Sequence, residues 1–97
     1  MGLDSVELVM EVEDRFDVRL EEGPVERIRR VEELAAYVWD LLQLETDDLK
    51  PDRRPAHARS YEAVVDEIRR LTSRQLHIPI EDIKPESEFV RDLGMDA

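Results

Sequence analysis

Two stripes at helical spacing run through Leu3–Phe16 (LDSVELVMEVEDRF), and they constrain the fold more than any other feature of the chain. Leu8, Val9, Val12 and Phe16 recur at i, i+1, i+4 and i+8 and share one apolar face. Asp4, Glu7, Glu11 and Asp14 recur at i, i+3, i+7 and i+10 and form a second, acidic stripe. The first cations, Arg15 and Arg19, come only after Asp14. One face is built for a core. The other reads either as a solvated helix face or as a docking surface for basic partners.

Ninety-seven residues make one small domain with a modest core. The chain is 40% charged and 41% apolar, with few aromatic residues, three glycines and no cysteine, which fits a helical domain better than a β-sandwich or a disordered tail. Without cysteine there is no disulfide framework and no thiolate metal site, and a cytoplasmic location is expected. No apolar run approaches the roughly 20 residues needed to cross a bilayer, and no signal peptide is read at the start. The net charge of −11 divides unevenly, with twelve acids and five bases in residues 1–42. That balance argues against nucleic acid or an anionic membrane as a partner and favours basic protein surfaces.

The apolar pattern predicts a first helix over residues 4–17. Residues 18–24 read as a loop broken by Gly23-Pro24, with a short helical turn from Pro24 to Ile28. A helix follows over 31–42, with Val31, Leu34, Ala35, Val38, Leu41 and Leu42 on one face and Tyr37 and Trp39 at its edges. Residues 43–59 lack apolar periodicity and read as a linker spanning roughly 20–25 Å. Ser60 is the expected N-cap of a helix over Tyr61–Leu76 with Tyr61, Val64, Ile68 and Leu71 as its main stripe. Residues 77–97 hold two prolines, which exclude one continuous helix. Ile78, Ile80, Ile83, Phe89, Val90 and Leu93 make this segment a structured loop packed on the bundle. His57 and His77 have no second ligand at metal spacing, so no metal site is read. Carboxylates abound only on helix faces, without the burial or cleft that acid–base catalysis needs, so the chain is not read as an enzyme.

These segments resemble the acyl carrier proteins, with the two halves in reversed order. Tyr61 to Asp96 looks like the family's first half: a helix ending in Gln75-Leu76, an Ile-Glu-Asp-Ile loop, then Phe-Val-Arg-Asp-Leu-Gly-Met-Asp. Leu3 to Leu42 looks like the second half, beginning Leu-Asp-Ser-Val-Glu-Leu-Val-Met and passing through Phe16-Asp17. The resemblance implies an all-α, four-helix bundle with circularly permuted connectivity, one domain in which residues 43–59 link the two halves.

The halves meet at the serine that carries 4'-phosphopantetheine in the family. Ala97 and Gly2 occupy that position here, and neither has a hydroxyl to attack as phosphoryl transfer requires. Ser5 offers a competing alignment as the attachment site, but it leaves about three residues too few before Phe16-Asp17, nearly one helical turn. The resemblance further implies a recognition face of Asp4, Glu7, Met10, Glu11, Glu13 and Asp14 that docks on basic surfaces of acyl-transfer and condensing enzymes and of phosphopantetheinyl transferase. Met10 reads alternatively as a gap-filling core residue. Candidate residues lining an acyl pocket are Val12, Phe16, Ile28, Leu34, Ala35, Val38 and Phe89, each of which reads first as simple core when no acyl chain is attached. Three functions follow: a carrier scaffold for fatty acid or polyketide synthesis that stays unmodified, a working carrier modified at Ser5, or a helical interaction module with an acidic face. Either a monomer or a domain-swapped dimer is compatible with the order of the halves.

Overall fold

The structure is a computed structural model that describes residues 3–45 and 55–95, with the side chains of residues 3–5 and 45 excluded. Four α-helices are described: α1 (Leu3–Phe16), α2 (Glu22–Glu26), α3 (Val31–Glu45) and α4 (Tyr61–Leu76). Among the described residues there is no strand, only an isolated bridge between Arg30 and Glu88. The fold is therefore all-α, as the apolar periodicity predicts. Ala97 and Gly2 lie outside the described residues.

The helix α4 is the common packing partner of α1 and α3. It starts where the sequence places it, because the Ser60 hydroxyl accepts the Ala63 N–H at 3.1 Å and satisfies one of the free donors of the first turn. Ser60→Ala should therefore cost about 1 kcal/mol of unfolding free energy, measured by urea denaturation. At the other end His77 takes the left-handed conformation, and its N–H closes on the Ser73 carbonyl. Val64, Val65, Ile68 and Leu71 are buried, and so is Thr72, whose hydroxyl donates to the Ile68 carbonyl at 2.7 Å. Tyr61 does not head the buried stripe: it is 39% exposed, and its hydroxyl reaches the Glu32 carbonyl of α3.

The helix α1 buries Leu8, Val12 and Phe16 and ends at Asp17, which has φ +54°. The Gly23-Pro24 pair does not break the chain as expected but lies inside the first turn of α2. Proline fits there because the N–H it lacks would have had no helical partner. Ile28 consequently falls after α2, half-buried against the core. Next, α3 buries Val31, Leu34, Ala35, Val38 and Leu42 and runs to Glu45, three residues past the predicted end. Glu33 turns back to accept the N–H groups of Arg29 and Arg30 at 3.0 and 2.8 Å, which caps this helix.

Residues 77–95 form the packed segment that their apolar content predicts, except that Val90 is exposed. Ile83, Phe89, Leu93 and Met95 are buried in the shared core. The segment also satisfies α3: the carbonyls of Pro85 and Ser87 accept the Glu32 and Val31 N–H groups at 2.8 and 3.0 Å. Phe89 returns an N–H to the Arg29 carbonyl at 2.8 Å. Gly94 makes the final turn at φ +71°, a conformation glycine adopts without strain. Part of the predicted linker is also built into the fold, because Ala56–Ala58 forms a 3₁₀ turn against α4 with Ala58 buried.

Candidate functional site

The outer face of α1 collects several of the expected recognition residues. Met10 is 59% exposed, so it is not a core residue. Glu7 and Asp14 are exposed and Glu11 is half-buried. Glu7 accepts a hydrogen bond from Gln75 of α4. Glu13 turns away from this group, its carboxylate accepting the Leu20 N–H at 2.8 Å and bracing the chain after α1. Asp4 and Ser5 lie in the first turn of α1, with side chains outside those described. A hollow of about 300 Å³ runs between α1 and α4, lined by Glu11, Asp14, Arg15, Leu71 and Arg74. This face thus combines an exposed thioether and carboxylates with the two arginines, Arg15 and Arg74, that line the hollow.

The candidate pocket residues are in the core. Val12, Phe16, Leu34, Ala35, Val38 and Phe89 are buried, and Ile28 packs against them. They bring α1, α3 and the 77–95 segment together as one packed interior.

Sequence reasoning missed a second constellation. Glu67 is only 6% exposed although it is charged. Arg15 of α1 donates its Nε–H to Glu67 Oε2 at 2.9 Å, and Arg70 donates from Nη1 to Oε1 at 3.1 Å. His57, from the 3₁₀ turn, donates its Nε2–H to the Arg15 carbonyl at 2.9 Å, while its ring meets the Phe16 ring edge-on at 5.3 Å. These groups border another hollow of about 300 Å³. Burial by itself would raise the Glu67 pKa, but the hydrogen bonds from Arg15 and Arg70, with the charges of Arg15 and His57, outweigh it and hold the carboxyl below its ordinary value. A weak signal was present, since Glu67 lies beside Ile68 and three residues before Arg70. Such i, i+3 pairs are just as common on solvated faces.

No family model and no solved structure matches the chain. A stretch of 43 residues, 44% of the chain, is 42% identical to the chloroplastic acyl carrier protein SF2 of Brassica campestris. Part of this chain is similar to an acyl carrier protein. The match spans about a third of that relative's length, 32%. Among the described residues no helix is long and apolar enough to cross a membrane.

Proposed function

We propose that the chain is an acyl-carrier-type scaffold whose two halves stand in reversed order, and that it acts by docking proteins rather than by catalysis. The observation that carries this reading is the order of the elements taken from Tyr61. A long helix, α4, leads into a long packed segment; a second long helix (α1), a short turn of helix (α2) and a last helix (α3) complete the set. The partial identity to a carrier protein supports the same reading.

On this reading the junction between the halves is the position that bears 4'-phosphopantetheine in carriers. Ala97 and Gly2 stand there and offer no oxygen nucleophile, so the residues do not fit the group and no transfer step runs through them. The chain is then an unmodified relative of a carrier. The group formed by Glu7, Met10, Glu11 and Asp14 is its docking face for the basic surfaces of enzymes that handle carriers. Charges at such a rim speed encounter and set orientation more than they add affinity, which suits brief binding to several enzymes.

The test is incubation with coenzyme A and a broad-specificity phosphopantetheinyl transferase, followed by intact mass and peptide mapping. The expected result is no added mass on a chain that melts cooperatively. Addition on Ser5 would replace this reading with a working carrier. If the unmodified chain also fails to bind a ketoacyl synthase, the docking function is lost and a module for some other basic partner remains.

A further inference from the structure

The groups around Glu67 join three elements that are distant in sequence. The Arg15 carbonyl belongs to the last turn of α1, where helical partners run out, and His57 supplies the missing donor. The Arg15 guanidinium, on the same residue, is held by Glu67 of α4. Beneath this contact lies buried Phe16, with the His57 ring against it. Ala58 is buried in the shared core, and its turn packs against α4.

We propose that the Ala56–Ala58 turn is a cover over the Phe16 end of the bundle, seated by His57 on α1 and latched shut by Glu67 through Arg15. Opening it uncovers Phe16 without unfolding the helices, since local openings of this kind need far less free energy than global unfolding. The charged groups facing the latch are Arg15 from α1, His57 from the turn, and Arg70 and Asp66 from α4. Asp66 is paired with Arg69 at 3.2 Å. Neither α3 nor the Ile80–Asp82 turn lines this hollow. The latch does not depend on the carrier reading, because pantetheinylation involves none of these residues.

Removing the charge of Glu67 should release the latch. The folded carboxyl titrates below its ordinary range, so the latch is fully set at neutral pH and is lost as pH falls through that lowered value. The experiment is amide hydrogen exchange on the whole chain, comparing wild type, Glu67→Gln and Arg15→Gln. The Ala58 and Arg59 amides, bonded to the Pro55 and Ala56 carbonyls, report the cover. Their protection should fall about tenfold in both variants, the loss of one charge-assisted hydrogen bond, while α3 amides keep theirs. Wild type should show the same local fall in acid, and Glu67→Gln should not add to it. Unchanged protection at Ala58 in both variants would overturn the proposal, as would a fall in Arg15→Gln that tracks α3. If Glu67→Gln loosens the whole fold, Arg15→Gln decides, because Arg15 is half-exposed and lies outside the apolar core.

Discussion

Ile68→Ala will lower the unfolding free energy by about 3–4 kcal/mol, combining roughly 0.8 kcal/mol for each lost methylene-sized group with a cavity term. Ile68 has no exposed surface and sits midway along α4. It belongs to the single cluster that joins Leu8 and Val12 of α1, Leu34 and Val38 of α3, and Ile83 of the 77–95 segment. A cavity there faces several elements at once, and none can collapse into it without leaving the others. A domain of this size is stable by about 5–15 kcal/mol, so the loss is a large share of the total. Urea denaturation should show a lower midpoint with an unchanged slope. Leu44→Ala is the control, because Leu44 is 77% exposed and should shift stability by no more than about 0.5 kcal/mol. A loss below 1 kcal/mol at Ile68 (~0.8 kcal/mol is one methylene) would mean that α4 is not the shared packing surface.

Arg69→Ala should cost about 2–3 kcal/mol, the range for charged hydrogen bonds lost together from one side chain. The Arg69 Nε–H donates to the Ile83 carbonyl at 2.6 Å, and Nη2 donates to the Ile80 carbonyl at 3.1 Å. One planar fork thus ties the start of the 77–95 segment to α4, and Asp66 steadies it from the third nitrogen. Without it, the Ile83 carbonyl loses its donor, and the Ile80 carbonyl keeps only the Ile83 N–H at 3.0 Å. Ile83, with no exposed surface, is pulled from its site if the segment lifts. The effect should spread in a set direction. The Pro85 and Ser87 carbonyls cap the first turn of α3, so amides at Val31 and Glu32 should lose exchange protection along with the segment. Arg69→Lys should recover less than half of the loss, because a single ammonium cannot span both carbonyls. Arg91, largely exposed, pairs only loosely with Glu88 at 4.0 Å, and its removal should change little. An Arg69 effect no larger than that of Arg91 would sink the account.

Local rules were legible where one turn of chain contains all the participants. Ser60 caps α4 through a donor three residues away, and the Leu8–Val12–Phe16 stripe needs only helical periodicity to be recognised. Gly23-Pro24 misled because the same dipeptide can stop a helix or occupy its first turn, and the choice depends on where the flanking chain must go. Met10 and Glu13 were ambiguous on the acidic face. Their fates were decided by what lies next to them: Met10 stays 59% exposed, whereas Leu20 brings an N–H to Glu13.

The amino-acid sequence by itself determined the helical class, the span of α4, the inward faces of α1 and α3 and the packed character of residues 77–95. Each follows from spacing along a few turns of chain. Tertiary structure alone decided that a carboxylate at position 67 would be buried, that Arg15 would reach it across 52 residues of sequence, and that His57 would close over Phe16. A buried charge persists only where donors from separate elements converge on it, and no local pattern records that convergence.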